Sequence, residues 1–146
     1  MSSDHSSVEN QEYKLDEQVG FMLRVASQRH ATIFQAHTNE KLTPTQFSTL
    51  IRLAEVGSVS QNQLGRLAAM DIATIKGVVD RLKAKGLIQT EPDLVDKRRS
   101  VISLSPRGAE LISDLKTAGH RITEETLAPL SAKEQQTLLG LLRKIS

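Results

Sequence analysis

The chain has 146 residues, of which 38% are hydrophobic and 25% charged, so it is long enough for one domain with its own core. It has no cysteine, no apolar run of membrane-spanning length and no signal-peptide core, which excludes disulfides and thiol redox sensing and leads us to expect a soluble cytoplasmic protein. The net charge is only +2, but residues 61–107 carry nine cations and five acids whereas residues 1–20 carry one cation and five acids, so the basic segment is suited to a polyanion such as DNA.

The N-terminal part begins with a tail that lacks periodicity. Residues 1–13 are polar and acidic, and we expect them to be disordered. A first long helix is predicted from Leu15 to about Asn39, with an apolar stripe wider than one chain's core usually needs. Its apolar positions are Leu15, Val19, Phe21, Met22, Val25, Ala26, Ile33 and Phe34. Such a surface indicates a partner helix, which we expect from a second copy of the chain.

Polar side chains interrupt this stripe at Arg24, Arg29, His30 and His37. In one interpretation they reach solvent or form hydrogen bonds within the dimer. In the other, one or two of them face a ligand cavity. The two histidines lie two turns apart, too far for a compact metal site unless other segments contribute, so a metal-responsive protein is a less favoured alternative.

Two capping signals open the next two helices. Thr43 is the predicted N-cap of the second helix, with Pro44 at its first position and Gln46 reaching back as a capping box. Its apolar face is Phe47, Leu50, Ile51, Leu53 and Ala54. The run Ser60–Gln63 is a second capping box that opens a short third helix. The polar residues at its start, Gln61, Asn62 and Gln63, are suited to bind phosphate.

Periodicity then predicts a fourth helix that ends at Gly86, a left-handed C-cap. The apolar positions of this helix, which we expect to face the core, are Ile72, Ile75, Val78, Val79 and Leu82. The opposite face consists of small and polar residues, namely Ala73, Thr74, Lys76, Gly77, Asp80 and Arg81. A mid-helix glycine costs about 1 kcal/mol relative to alanine, and close approach by another molecule would explain Gly77. An ordinary solvated face is the alternative.

A β-hairpin follows the fourth helix. The segments Leu87–Glu91 and Ser100–Leu104 contain strand-forming residues, and the loop between them ends in Lys97, Arg98 and Arg99. A hairpin arm with arginine at its tip fits a narrow minor groove, although a solvated basic loop would look the same in isolation. Helix, turn, helix and basic hairpin in this order indicate a winged helix-turn-helix, whose second helix enters a DNA major groove.

Two more helices complete the chain. Ser105-Pro106 starts a long helix that Pro129 ends, and a third capping box at Ser131–Glu134 opens the last amphipathic helix. We find no glycine-rich phosphate loop, nucleophile elbow or paired-acid motif, so we expect no enzyme, no cofactor and no metal. The alternative to DNA binding is a winged helix that docks another protein.

The segment Asp80–Ile88, the D-x-R spacing at Asp96 to Arg98 and the LSPRG run at Leu104–Gly108 resemble the MarR family of bacterial regulators. The resemblance implies a mainly α-helical fold with a small β-hairpin wing, in a single domain over residues 14–146. Within it, residues 43–107 would form the winged helix-turn-helix and residues 14–40 and 108–146 the dimerisation helices. It also implies a homodimer that binds double-stranded DNA, with Asp71 paired to a wing arginine and Asp96 anchoring the wing.

The DNA-binding residues follow from this arrangement. Thr74, Lys76 and the close approach at Gly77, beside Ala73, would read base edges. Arg81, Gln61 and Gln63 would hold phosphates, Arg98 would enter the minor groove, and Lys97 and Arg99 would lie on the DNA backbone. We expect a repressor on a pseudo-palindromic operator.

Members of this family often bind a small aromatic acid between the dimer helices and the DNA-binding part, and the resemblance implies such a site here. The matching segments offer apolar walls from Phe21, Met22, Val25 and Phe47. They offer partners for an anion in Arg24, Arg29, His30 and Arg52. We therefore expect an aromatic or heteroaromatic acid, such as a nicotinate-type catabolite, to release the DNA.

Overall fold

The structure, a computed structural model, describes residues 12–38 and 41–146. A 3-10 turn at Leu15–Glu17 precedes the regular elements. These are α1 (Val19–His37), α2 (Pro44–Val56), β1 (Ser58–Val59), α3 (Gln61–Leu67), α4 (Ile72–Ala84), β2 (Ile88–Pro92), β3 (Ser100–Leu104), α5 (Pro106–Leu127) and α6 (Ala132–Ile145). The predicted fold class, mainly α with a small β wing, is confirmed. The predicted tail up to residue 11, and Asn39 at the expected end of the first helix, lie outside the described residues.

The first helix begins later than the periodicity predicts. Gln18 has an extended backbone, with φ −89° and ψ 134°, so Leu15 belongs to the 3-10 turn and α1 begins at Val19. The prediction of one continuous helix from Leu15 is therefore wrong by about one turn. Periodicity alone does not distinguish an α-helix from a short 3-10 turn that leads into it.

The predicted helix caps are present. Thr43 and Gln46 form both hydrogen bonds of a capping box, each at 3.2 Å. Ser131 and Glu134 form both bonds of another, at 2.9 and 3.2 Å. Ser60 accepts from the Gln63 N–H at 3.3 Å, but the return bond from the Ser60 N–H to the Gln63 side chain is absent, so this predicted capping box is present only as an N-cap. Each cap stabilises its helix by about 1 kcal/mol. Gly86, at φ +74°, ends α4 in the left-handed conformation that its position predicts.

The main core lies under α2, α3, α4 and the sheet, which together form the winged-helix lobe (α2 to β3). Side chains with no exposed surface fill it, among them Leu42, Leu50, Leu53, Leu64, Ile75 and Leu82. One predicted core position is wrong: Ile72 is 70% exposed. It occupies the first position of α4, and the core-facing stripe of that helix starts one turn later, at Ile75.

The sheet has three strands, whereas the sequence predicts two. Its order is β1-β3-β2, with both pairings antiparallel. The extra strand, β1, pairs Ser58 with Ser103 and Val59 with Ile102. Two residues are too short for any alternation pattern, so β1 has no signal in the sequence. Its effect is to tie the base of the wing to the end of α2 and the start of α3.

Gly108, in the first turn of α5, allows a very close approach between that helix and the segment after α4. A Cβ atom added there would lie 2.0 Å from the Leu87 carbonyl oxygen and 3.0 Å from the carbonyl carbon. Ser105 N–H donates to the same oxygen at 3.0 Å, and Ser105 Oγ donates to the Gly86 oxygen at 2.6 Å. Glycine at position 108 therefore lets α5 start directly against the end of α4.

The remaining helices pack differently. A second, smaller core joins α1 to α5 through Ile33, Phe34 and Ile122, with Phe47 of α2 against it. The N-terminal half of α1 and the outer face of α6 expose large apolar side chains, namely Val19, Met22, Leu23, Val25, Leu141 and Ile145. Within the described ranges, no helix is both long and apolar enough to cross a membrane.

Candidate nucleic-acid interface

The start of α4 is fixed by its own N-cap. The Asp71 carboxylate accepts the Thr74 N–H at 2.7 Å. The hydrogen bonds from the Thr74 backbone and side chain lower the pKa of Asp71 below its usual range. The family resemblance predicts that Asp71 pairs with a wing arginine. In this structure its carboxylate caps α4 instead, and the wing arginines pair with Asp96.

The outer face of α4 is open to solvent. Its exposed residues include Ala73, Thr74, Lys76 and Arg81. Lys76 Nζ lies 3.2 Å from Asp80 Oδ2, an exposed i,i+4 pair of the kind that contributes only about 0.3–0.5 kcal/mol. A DNA base or phosphate could therefore replace Asp80 as the partner of Lys76 at small cost.

Gly77 has no packing reason among the residues that the structure describes. A Cβ atom added there would meet only the Arg81 guanidinium, at 3.4 Å, which is an ordinary van der Waals contact with a flexible side chain. Alanine would fit and would stabilise the helix by about 1 kcal/mol. The intrachain contacts therefore give no reason for glycine at this position.

The wing tip is held by Asp96. Its Oδ1 accepts from the Arg98 backbone N–H and from Arg98 Nε, both at 3.1 Å, and its Oδ2 lies 3.8 Å from Arg99 Nε. The Arg98 side chain lowers the pKa of Asp96, and the backbone N–H adds to the effect. The Arg98 side chain is 91% exposed, so the pair is a weak one and leaves the guanidinium open to solvent.

An open polar groove joins the start of α3 to the loop end of β3 in the wing. Its volume is about 490 Å³, and it is lined by Ser60, Gln61, Asn62, Arg66, Arg99 and Ser100. The structure thus brings together Gln61 and Arg99, which the sequence placed in separate motifs. Gln63 lies on the exposed side of the same helix start. Arg66 was not among the predicted residues, although its i,i+4 spacing from Asn62 could have identified it.

A second groove runs between α3 and α4. Its volume is about 560 Å³, and it is lined by Asn62, Gly65, Arg66, Met70, Asp71, Ile72, Ala73 and Ile75. Asn62 and Arg66 border both grooves. The two grooves therefore form one continuous surface from the first turn of α4 to the wing, which we call the basic surface.

The predicted effector residues lie in several places. Arg29 donates to the Thr126 and Glu125 carbonyl oxygens, at 2.7 and 3.0 Å, and His30 Nδ1 lies 3.0 Å from Thr126 Oγ1. His37 Nε2 contacts the Glu125 carboxylate at 2.6 Å. The Arg29 guanidinium thus caps the last turn of α5, where the Glu125 oxygen also accepts the Ala128 N–H at 3.4 Å. Within one chain, these three side chains therefore bond to the end of α5, and hydrogen bonds within a dimer stay a prediction.

Other candidates lie on α1 and α2. The Arg24 guanidinium lies 5.3 Å from the centre of the Phe21 ring. Met22 and Val25 are exposed beside them. Phe47 and Arg52 line a cleft of about 280 Å³ together with Ser48 and Ile51.

Arg52 also connects two helices. Its Nε donates to the Leu67 oxygen at the end of α3, at 2.8 Å, and its Nη1 contacts Glu55 at 2.9 Å. Phe47 packs edge-on against Phe34, with ring centres 5.5 Å apart. In the parts of the chain that the structure describes, no group of three or more His, Asp or Glu residues is arranged as a metal site.

Known proteins are similar to this chain in sequence and architecture. The sequence pattern of the MarR family matches residues 42–100. The HTH-type transcriptional repressor NicR of Pseudomonas putida is 41% identical over 139 residues, which is 94% of this chain and 88% of NicR.

Two solved structures are similar over nearly the whole chain. A probable transcriptional regulator from Pseudomonas aeruginosa is 52% identical, with a TM-score of 0.87 over 91% of this chain and all of that one. BpsR of Bordetella bronchiseptica, whose DNA binding is regulated by 6-hydroxynicotinic acid, is 37% identical, with a TM-score of 0.86 over 92% of this chain and 97% of BpsR.

Proposed function

Because this chain belongs to the MarR family and is a transcriptional repressor of that type, we propose that it binds a pseudo-palindromic operator as a homodimer and that a small heteroaromatic acid releases it. The DNA part of the proposal is carried by the basic surface. That surface connects the first turn of α4 with the wing through Asn62 and Arg66, which border both of its grooves. A helix fits the major groove of B-DNA, and an arginine-tipped arm fits the adjacent minor groove.

Each element has a distinct role in this proposal. Thr74 and Lys76 on α4 contact base edges, and Gly77 lets the helix approach them. The residues that hold the DNA backbone are Gln61, Gln63, Arg66, Arg81, Lys97 and Arg99. Arg98 leaves Asp96 for the minor groove, where the local potential is negative.

The homodimer rests on the apolar surface of the terminal helices. Large aliphatic side chains on α1 and α6 are half or more exposed in one chain, including Val19, Met22, Leu141 and Ile145. A shallow apolar groove of about 380 Å³ runs along α6 beside Leu130, Leu138 and Leu141. A second copy that covers these faces with its own α1, α5 and α6 would bring two α4 helices to two half-sites, as a pseudo-palindrome requires.

Arg66 gives a direct test of the DNA surface. We expect Arg66→Ala to weaken binding to all sequences alike and to reduce the slope of log affinity against log salt by about 1 for each phosphate that the variant no longer neutralises. Arg98→Ala should also weaken binding while the protein stays folded, because a tip residue has little core to lose. The matched control is Lys116→Ala, an exposed cation on α5 outside the basic surface. An affinity and salt slope for Arg66→Ala equal to those of the control would contradict the proposed surface.

The effector part of the proposal rests on relatives and on the cleft at α2. DNA binding by the 37% identical BpsR is regulated by 6-hydroxynicotinic acid. In this chain, Phe47 offers a flat apolar wall and Arg52 a cation at the same cleft. Hydrogen bonds to Leu67 and Glu55 engage two of the five N–H donors of Arg52. Phe21, Met22, Arg24 and Val25 of α1 would contribute once the dimer has formed, whereas Arg29 and His30 would support the site from the end of α5.

The effector is tested by titrating 6-hydroxynicotinic acid and nicotinic acid into the protein–operator complex, with 6-hydroxynicotinamide as the control that lacks the carboxylate. Complete release requires that the acid prefer the DNA-free conformation by roughly 10⁴-fold. Arg52→Gln should raise the concentration for half-release by about tenfold or more, because it removes a charge-assisted hydrogen bond. If neither acid binds in calorimetry, or if the amide releases DNA equally well, the effector assignment fails and the DNA-binding assignment stands.

A further inference from the structure

Ile72 has an aliphatic side chain that lies outside the core of the folded chain. It starts α4 and is 70% exposed, whereas Ile75, one turn later on the same helix, is fully buried. Single exposed apolar residues are common on protein surfaces, so exposure alone says little. Its position says more, because Ile72 borders the basic surface beside Arg66 and Ala73.

The other exposed large apolar residues divide into groups with different explanations. Those on α1, those just before it (Tyr13 and Leu15) and those on α6 are assigned to the proposed dimer surface. Leu94 and Val95 lie at the wing tip, and Val56 lies at the end of α2. Ile72 differs from all of these because it belongs to the helix that the proposed function places in the major groove.

The start of α4 is also unsuited to bind a phosphate. Asp71 places a carboxylate there, and this carboxylate already accepts the Thr74 N–H at 2.7 Å. Its negative charge opposes the attraction that an uncapped helix N-terminus exerts on an anion. The first turn of α4 therefore presents an aliphatic group, not an anion site, toward DNA.

We propose that Ile72 packs against the C5-methyl group of a thymine in each half-site of the operator. Thymine is the one base that presents a methyl group in the major groove, so an aliphatic contact distinguishes it from the other three. The first residues of a recognition helix are the ones that reach base edges. This inference rests on the proposed function. It assigns to Ile72 a specificity role separate from the polar contacts of Thr74 and Lys76.

The experiment begins with an operator obtained by binding-site selection with the wild-type protein. Each thymine is then replaced by deoxyuridine, which removes the methyl group and nothing else. Burial of one such group predicts that at one position per half-site the wild-type affinity falls about fourfold, or about fifteenfold when both half-sites are changed. The salt dependence of binding should stay the same, because no charge is altered.

The variant Ile72→Ala, combined with the deoxyuridine substitution, completes a double-mutant cycle. This variant should bind the thymine operator more weakly than wild type does and should lose the uracil penalty at that position, because the methyl group no longer has a partner. Val56→Ala, at an exposed aliphatic residue away from the basic surface, should keep the full penalty. Because Ile72 is exposed, we expect the thermal midpoint of Ile72→Ala to match wild type.

Four results would be decisive. A penalty that is as large in Ile72→Ala as in wild type would overturn the contact, as would the absence of any uracil-sensitive position in the wild-type complex. A selection that recovers no DNA at all would instead overturn the proposed function. Loss of the penalty in Ile72→Ala alone supports the assignment.

Discussion

The winged-helix lobe buries its large apolar residues, whereas the terminal helices leave many of theirs exposed. In the lobe, α2, α3, α4 and the sheet bury a continuous core within one chain, with Leu50, Leu64 and Ile75 fully covered. Every residue of α6 is at least partly exposed, and the first half of α1 exposes its aliphatic side chains. The core of the lobe, to which Leu115 of α5 contributes, is therefore complete within one chain, whereas the described residues leave these faces of α1 and α6 uncovered. The stability of the lobe should be a property of the chain, and that of the helices a property of protein concentration.

The largest expected effect tests how tightly the lobe is joined to α5. Gly108→Ala places a Cβ 2.0 Å from a backbone oxygen, so the start of α5 must move. We expect a loss of at least about 3 kcal/mol in the free energy of unfolding, measured by urea denaturation. The control is Ala109→Gly, the reverse change at the neighbouring exposed position, which should cost no more than about 1 kcal/mol. A loss for Gly108→Ala no larger than that of the control would contradict the close packing, because helix propensity by itself favours alanine over glycine.

The next effect concerns the terminal helices. Leu141→Asp should weaken the dimer by about 100-fold or more, because the proposed interface would bury an unpaired carboxylate. Sedimentation at several protein concentrations measures this. Val56→Asp, at another exposed aliphatic residue but at the end of α2, should leave the assembly unchanged. If both variants remained dimers of equal strength, the exposed face of α6 would not be the interface.

A smaller effect distinguishes folding from function within the lobe. Gly77→Ala should raise the free energy of unfolding by about 1 kcal/mol, because the added Cβ has room in the free protein. The same variant should bind the operator about tenfold more weakly, because the methyl group holds α4 away from the bases. Thermal unfolding and a DNA titration on one sample give both numbers. A stabilised protein with unchanged DNA affinity would mean that the outer face of α4 at Gly77 is an ordinary solvated face.

The smallest effect is the pH response of the α4 cap. Hydrogen bonds from Thr74 lower the pKa of Asp71 in the folded protein. The stabilisation is therefore fully present above the unfolded pKa, about 4, and is lost as the pH falls through the lower folded pKa. Asp71→Asn retains a capping oxygen but cannot titrate, so its thermal midpoint should fall less than that of wild type below roughly pH 4. Parallel curves for the two proteins would mean that the charge on Asp71 contributes nothing to the cap.

Local chemistry made several of these features predictable. The caps at Thr43, Ser60, Ser105 and Ser131 depend on hydrogen bonds that span three residues, so the sequence is enough to identify them. The same holds for Gly86, whose left-handed backbone follows from its place after the last turn of α4. The order of helices and hairpin was likewise sufficient to indicate a winged helix.

What the sequence by itself determined is thus the set of elements, their caps and the residue types on each face, because these depend on neighbours within one or two turns. Tertiary structure alone decided that Ile72 lies outside the core, because exposure depends on where the neighbouring helix ends. It also decided that Arg29 caps α5 and that Arg66 shares a groove with Arg99, since the partners are 96 or 97 residues apart in the first case and lie on separate elements in the second. Periodicity predicts the direction in which a side chain points. Its contact partners are known only from the packed structure.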